Sequence, residues 1–441
     1  MKGNGFRHGV HPPERKELTS SLPIRRMPFP EEVVLPLRQH AGKPARPLVA
    51  RGDRVERGDM IAAADGYISV PMHASAAGVV TAIDWCPHPD GSMVEAVHIR
   101  VDPHSVQVPR PRMVPRWETL QGDQVAAAVQ NAGVVGMGGA AFPAHVKMVP
   151  PKDAKVEVLI LNGAECEPYL TTDHRVMVEH PERVHYGARI MMAALGVDRA
   201  VIGVEANKPD AVERLRATIP PDLDITVEAL RVKYPQGAEK MLIRAITGRE
   251  VPSGKLPISV GAVVQNVGTV ATIAEVFETG LPLIERVVTV TGRGIARPSN
   301  LLIPVGTRLR DVIEYCGGVT DDAAEIIFGG PMMGLVQADL DTPVTKGVTG
   351  IVVLTRAEIA PRRTLPCIKC GRCVDACPVF LVPQQLGALA QLGRFEEMED
   401  WNLADCMLCG SCSYVCPSHI PLSQMFALSK AGLRRQKARS A

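Results

Sequence analysis

Near its C-terminal end the chain repeats one cysteine spacing twice. CIKCGRCVDACP carries Cys367, Cys370, Cys373 and Cys377, and CMLCGSCSYVCP carries Cys406, Cys409, Cys412 and Cys416. Each reads C-x2-C-x2-C-x3-C-P, in which three close thiolates grip three irons of a cubane and the fourth ligates the other cluster. On that pattern Cys367, Cys370, Cys373 and Cys416 hold cluster 1, and Cys406, Cys409, Cys412 and Cys377 hold cluster 2. Zinc is the competing reading, because C-x2-C pairs also build zinc knuckles and ribbons. Two complete runs, both ending in Cys-Pro and neither supplying a histidine, favour two 4Fe-4S clusters. Crossed ligation keeps the cubanes close together, which suits a relay of single electrons.

The other three of the eleven cysteines are scattered. Cys86 and Cys316 read as buried thiols acting as small hydrophobes. Cys166 stands between Glu165 and Glu167, whose charges raise a thiol pKa and make it a poor nucleophile. This distribution belongs to metal ligands in a reducing compartment and not to a disulfide framework. The opening MKGNGFRHGVHPPERKE has no apolar core of a signal peptide, and the chain has no uninterrupted apolar run of the length a span needs. The expectation is a cytoplasmic protein with no membrane span. Lys+Arg (49) nearly balances Asp+Glu (47) and aromatics are 4% of residues, which argues against a nucleic-acid partner.

At 441 residues, 46% of them hydrophobic, the chain has room for several domains. Residues 31–102 read as short strands broken by glycine. The pattern Gly-Asp-x-Val-x-x-Gly-Asp at 52–59 resembles the flattened barrel of biotinyl and lipoyl carriers. Such carriers need a lysine on the central hairpin, and residues 62–82 contain none; Met72–His73 at that place reads as turn packing. From about 115 to 280, helical stretches such as QVAAAVQNAGV alternate with apolar runs such as VEVLILNGA, which predicts a mostly parallel sheet covered by helices. Residues 285–355 return to short strands with one helix at LRDVIEYCG. The last segment sets the cysteines on loops between helices such as PQQLGALAQLGRFEEMEDW, and ends in a basic tail, Lys430 to Arg439, read as solvated.

Cubanes pass one electron at a time and nicotinamides exchange hydride, so joining them requires a flavin. NAGVVGMGGAAFPAHVK places Gly136, Gly138 and Gly139 in a loop after a helix, with Phe142 and Lys147 beyond. Glycines admit close approach of a phosphate or ring, although an ordinary tight turn explains the loop equally well. LILNGAECEPYLTTDHR adds Asn162, Glu165, Glu167 and Asp173 where a strand end meets a ligand in such sheets. KYPQGAEKMLIRAITGREVPSGKLP adds Tyr234, Glu239 and Lys255, and QNVGTVATIAEV adds Asn266 and Thr269.

GMGGAAFPAHVK, NGAECEPYLTTDHR, YPQGAEKML and the two cysteine motifs together resemble the C-subunit family (RnfC) of the Rnf electron-transport complex, over nearly the whole chain. The three central motifs also resemble the flavin-bearing, NADH-oxidising subunit of respiratory complex I. The resemblance implies a multidomain α/β protein: an N-terminal extension and barrel-sandwich hybrid (1–112), a Rossmann-like FMN/NADH-binding domain (113–284), a β-grasp SLBB domain (285–355) and an α-helical ferredoxin-like domain with two 4Fe-4S clusters (356–441). It implies non-covalent FMN held by Gly136, Gly138, Gly139, Lys147, Asn162, Glu165, Tyr234, Asn266 and Thr269, and NADH contacts from Phe142, Glu167, Glu239 and Lys255. Two departures stand out. The phenylalanines that sandwich adenine in the complex I relative align with Pro150 and Ile258, and an acidic position near the flavin aligns with Ala164.

The resemblance further implies a soluble subunit, peripheral on the cytoplasmic side of the cell membrane. It would dock on an ion-translocating complex that exchanges electrons between NADH and ferredoxin, with a ferredoxin-like iron–sulfur subunit as its neighbour. No side chain need act on substrate as acid, base or nucleophile, because the hydride chemistry is the flavin's. A cobalamin reductase of the propanediol-utilisation type shares the core, the SLBB module and the cubanes, but its relatives begin near the glycine loop, and the barrel at 31–102 argues for the Rnf protein. The remaining alternative is a passive iron–sulfur wire with a vestigial nucleotide fold.

Overall fold

A computed structural model describes residues 5–109, 114–151, 153–359 and 363–440, without the side chains of 439 and 440; the expected domain boundary at 112/113 and the Arg439 side chain lie outside them. At its centre is a four-stranded parallel sheet in the order Asp224–Leu230, Arg199–Glu205, Val158–Gly163, Ala262–Asn266. The first, second and third strands in sequence run outward in one direction, and the fourth returns to the other side of the first. That reversal puts a switch point between Val158–Gly163 and Ala262–Asn266, where the carboxyl ends of neighbouring strands diverge and leave a crevice. Register pairs Asn162 with Asn266 there. The strands are nearly continuous apolar runs because both faces are covered: Leu159 and Leu161 join one core, Val158 and Ile160 the other.

The barrel packs directly on this domain, sharing one hydrophobic core in which Val33, Ile61 and Val97 lie with Val129, Leu159 and Val270. Its two antiparallel sheets are Glu32–Pro36, Met93–Val101, Gly78–Pro87, Arg54–Val55 and Arg46–Pro47, Met60–Ala63, Met72–His73. The repeated Gly-Asp has a local cause. Asp53 accepts from the Ala50 N–H and Asp59 from the Glu56 N–H, both at 2.8 Å, closing two matching turns. Met72 and His73, expected as turn packing, are buried but lie in a strand that pairs with Met60–Ala63.

A six-stranded mixed sheet around the helix Leu309–Tyr315 forms the β-grasp domain. Its edge strand, Ile24–Arg26, comes from the N-terminal extension and pairs in parallel with Ser299–Pro304. Residues before it form an extended strap across the flavin domain. The ferredoxin-like domain is built from short helices around a core containing Leu386, Met398 and Phe426. The stretch expected as one helix at PQQLGALAQLGRFEEMEDW is two, Pro383–Gln391 and Glu397–Asp400, because Gly393 turns left-handed (φ 68°). Among the described residues, no helix is long and apolar enough to cross a membrane.

Candidate functional site

The glycine loop lies across the switch point. After the helix Gly122–Asn131, the Gly136 N–H donates to Phe142 O at 2.7 Å and an isolated bridge joins Val135 to Pro143, so residues 136–142 form a closed bulge. Gly138 and Gly139 are exposed, and Gly139, at φ 141°, has no atom within 4 Å of where a side chain would begin. The bulge is pinned from two sides. Thr269 Oγ1 accepts from the Met137 N–H at 2.8 Å, and Arg286, buried in the β-grasp strand Glu285–Thr291, donates to Met137 O at 3.0 Å. Nothing in the sequence motifs singled out Arg286, although an arginine inside the run ERVVTVT was a signal.

Asn266 caps the helix Val267–Thr279, accepting from the N–H groups of Gly268 (2.9 Å) and Thr269 (3.2 Å) while donating to Asp173 at 2.7 Å. A Cβ on Gly138 would lie 3.3 Å from the Asn266 side chain, a close approach that the bare backbone leaves unstrained. Asn162 donates to Gly237 O at 2.8 Å and accepts from Ala164 N. Glu165 accepts from the N–H groups of Asp173 (2.9 Å) and His174 (3.3 Å), at the start of the helix Thr172–Glu179. The Asp173 carboxyl is pushed up, first by burial and then by the neighbouring Glu165 charge. Gly136, Gly138, Asn266, Thr269, Asn162 and Glu165 are thus gathered around one crevice. Open space at Gly139, beside the start of the helix Val267–Thr279, suits the phosphate and ring edge of FMN.

Other expected contacts are placed differently. Lys147 is paired with Glu239 at 2.5 Å and donates to Val264 O at 3.1 Å, so the cation expected at the flavin neutralises a carboxylate expected at NADH. Phe142 is half-buried and Lys255 lies exposed on the loop before the turn Pro257–Val260, in which Ile258 packs on the core. Glu167 is turned under the β-grasp loop, where Oε2 accepts from the Met332 N–H at 3.1 Å and Oε1 is buried without a partner. Tyr234, expected beside the flavin, is 1% exposed and donates its hydroxyl to Cys409 O at 2.7 Å. Burial, followed by the charge of Glu167, holds that phenol far above its ordinary pKa.

The thiols fall into two cavities. Cys367, Cys370, Cys373 and Cys416 line one, with Ile368, Gln384 and Ser418. Cys377, Cys406, Cys409 and Cys412 line the other, with Met407, Leu408 and Phe426. Each cavity therefore draws three cysteines from one motif and the fourth from the other. Among the described residues, no three His, Cys, Asp or Glu side chains converge as a single ion would require. Burial pushes the Cys406 thiol up to about 11, and Cys412 is raised first by burial and then by Cys406 and Cys409. Crowded, buried thiols of this kind fit a cationic iron core that stabilises them as thiolates.

The two cavities differ in exposure. Cys367 and Cys370 are exposed, whereas Cys377, Cys409 and Cys412 are buried against the rest of the chain. Asp405, just before Cys406, pairs with Lys240 at 3.4 Å and accepts from Ser253, both on the flavin domain. The basic tail is part of this architecture: Lys430, on the helix Leu422–Ser440, donates to Cys406 O at 2.6 Å and Ala404 O at 3.1 Å. A run of charge reads as solvated in sequence, and only the fold shows that its first lysine faces the ligand loop.

Family models match along the chain in order: an RnfC barrel sandwich hybrid domain at 4–104, a Nuo51 FMN-binding domain at 129–275, an SLBB domain at 287–336 and a 4Fe-4S dicluster domain at 363–420. The chain is 46% identical over 401 residues to the C-subunit of the proton-translocating ferredoxin:NAD+ oxidoreductase complex of Clostridium ljungdahlii, covering 91% of this chain and 88% of that one. It is 44% identical to the C-subunit of the Na+-translocating complex of Acetobacterium woodii (92% and 91% covered). It is 42% identical to the C-subunit of the ion-translocating oxidoreductase complex of Rhodobacter capsulatus (90% and 77%). Among solved structures, an NAD+-reducing nickel–iron hydrogenase in the air-oxidised state shares the fold, with a TM-score of 0.51 and 22% identity over 65% of this chain and 55% of that one.

Proposed function

Because the chain belongs to the RnfC family of the ion-translocating ferredoxin:NAD+ oxidoreductases, we propose that it is the NADH-facing electron relay of such a multi-protein complex. Bound FMN supplies the exchange between a hydride and two single electrons, and two 4Fe-4S clusters carry those electrons. The chain's own residues bind and position. The backbone of Gly136–Gly139 and the cap formed by Asn266 and Thr269 receive the flavin phosphate, and Asn162 and Glu165 close the strand-end side. Lys147 and Glu239, joined as an ion pair, line the entry on which NADH and FMN converge, with Phe142 and Lys255 on the NADH side; Glu167, held under the β-grasp loop, is not part of it.

The observation that carries this reading is the seating of the second cysteine motif on the flavin domain. Tyr234 leaves the YPQG loop and ends on Cys409 O, while Cys367 and Cys370 face outward. Cluster 2 is accordingly the inner cluster, next to the flavin, and cluster 1 is the outer one, facing a ferredoxin-like iron–sulfur subunit on the cytoplasmic side of the membrane. Leu365 and Ile368 are exposed beside cluster 1, in keeping with a docking face. The barrel matched at 4–104 argues against the cobalamin reductase reading, and the assembled flavin crevice against a passive wire. Anaerobic stopped-flow of the flavin- and cluster-loaded protein with NADH should show flavin bleaching followed by cluster reduction. A bound flavin that stays oxidised in NADH would sink the proposal.

A further inference from the structure

Two side chains from outside the ferredoxin-like domain reach peptide carbonyls of inner-cluster ligands, one in each cysteine motif. Tyr234 donates to Cys409 O at 2.7 Å. His8 brings Nδ1 to 3.2 Å from Cys377 O, its ring 4.6 Å from that of Phe380 between centroids. A carbonyl only accepts, so Nδ1 carries the hydrogen. Both donors are tied together by the N-terminal strap. Val10 and Tyr234 exchange two backbone bonds of 2.9 Å, and the Gly9 N–H donates to Ala376 O at 3.1 Å. Lys233 donates to Phe6 O at 3.0 Å, and Lys16 to Glu167 O at 2.8 Å. Gly9 sits at φ 80°, where a Cβ would lie 2.5 Å from Tyr234 O, so the strap passes only as glycine. Among the described residues, no side chain of another domain bonds to Cys367, Cys370, Cys373 or Cys416 of the outer cluster.

We propose that the strap, residues 5–16, and Tyr234 are a positioning device for the inner cluster: they fix its ligand carbonyls against the flavin domain and raise its reduction potential above what its burial alone would give. The inference rests on the relay reading above. The hydroxyl and the imidazole N–H each point the positive end of a dipole at the ligand shell of an anionic cluster, which favours the added electron. Neither group needs to change protonation.

The test uses the full-length protein with both clusters and FMN, titrated electrochemically with EPR detection of each cubane. In Tyr234→Phe and in His8→Ala, the inner cluster should become harder to reduce. Each lost bond should lower its reduced-to-oxidised ratio at fixed potential by about three- to tenfold. The double variant should add the two effects, and His8→Asn, which returns an N–H donor, should recover most of the His8→Ala loss. Iron content, flavin content and the outer cluster should match wild type. Gly9→Ala should reproduce the shift by displacing the strap; if it fails to fold, Tyr234→Phe and His8→Ala decide alone. An inner cluster that titrates as in wild type in both, or an equal shift of both clusters, overturns the proposal. The titration uses no NADH, so a flavin inert to NADH would defeat the functional reading without touching this result.

Discussion

The two cysteine motifs share a backbone and differ in what surrounds it. Lys369 and Leu408 have φ of 56° and 57°, Gly371 and Gly410 both 77°, Phe380 and His419 57° and 52°, so each pair occupies the same left-handed position in its motif. The neighbours break this symmetry. A Cβ on Gly371 would meet nothing within 4 Å, whereas one on Gly410 would lie 2.7 Å from Met332 O of the β-grasp loop. The loops that carry the inner cysteines are contacted by the flavin domain, the β-grasp loop, the strap and Lys430, while Cys367 and Cys370 of the outer quartet are exposed. The repeated spacing gathers the cysteines into two like quartets, and the contacts made by the rest of the chain decide which quartet lies against the flavin domain and which is exposed.

The strongest challenge to that contrast is removal of the cysteine each motif lends to the other cavity. Cys416→Ser should abolish the outer cluster although Cys416 belongs to the second motif, and Cys377→Ser should abolish the inner one. Iron and sulfide should fall by about half in each case, with one EPR signal kept. A Cys416→Ser protein that kept its outer cluster and lost its inner one would show that the ligation is not crossed. Next come the paired glycines. Gly371→Ala should cost about 1–2 kcal/mol, from left-handed strain alone. Gly410→Ala carries the same strain plus an overpacked contact of about 1–3 kcal/mol. In denaturant, the iron–sulfur absorbance should bleach distinctly earlier in Gly410→Ala than in Gly371→Ala, and equal midpoints would remove the asymmetry.

Much of this molecule is legible from its residues alone. The strand-helix alternation around VEVLILNGA and AVIGVEA points to the parallel sheet, because runs buried on both faces look different from amphipathic helices. The cysteine spacing contains both quartets. What stays hidden depends on contacts between residues distant in sequence. Tyr234 and Cys409 are 175 positions apart, and nothing local to YPQG says that the phenol turns toward the iron–sulfur loop. The strap has no apolar period, since it lies extended between domains and bonds through its backbone. Lys147 is legible as a cation near the glycine loop, but its pairing with Glu239 follows from a helix start that the sheet brings alongside.

Glu167 sharpens the inner side of the comparison through pH. Burial raises its carboxyl to about 7, against the opposing N–H groups of Met332 and Met333 and the Lys16 charge. The unfolded chain releases this proton near the ordinary carboxylate value and the folded one holds it to about 7, so stability falls as pH rises through that window and stays lower above it. Glu167→Gln should remove that slope and add about 3 kcal/mol at pH 8. Unfolding midpoints compared at pH 5 and pH 8 check it: the two proteins should be close at pH 5 and separate at pH 8. A constant difference at both would mean that Glu167 ionises normally.

The last contrast divides the C-terminal helix itself and ends on the smallest effect. Lys430 reaches the carbonyl of an inner-cluster ligand, so Lys430→Met leaves the half-buried Cys406 O without its charged donor and should cost about 1.5–3 kcal/mol in cluster retention. Lys437, two turns further along, pairs with Glu399 at 2.6 Å in the open, with 67% and 45% of the two side chains exposed. Water screens that pair and ordering two long side chains offsets the attraction, so Lys437→Ala should change stability by no more than about 0.5 kcal/mol. Salt should separate the two. Raising ionic strength should erase the Lys437→Ala difference in thermal midpoint and leave most of the Lys430→Met difference, because only the second lysine is shielded by the loop it supports. If both differences vanished in salt, the tail would be uniformly solvated and the inner cavity would lose one of its distinguishing neighbours.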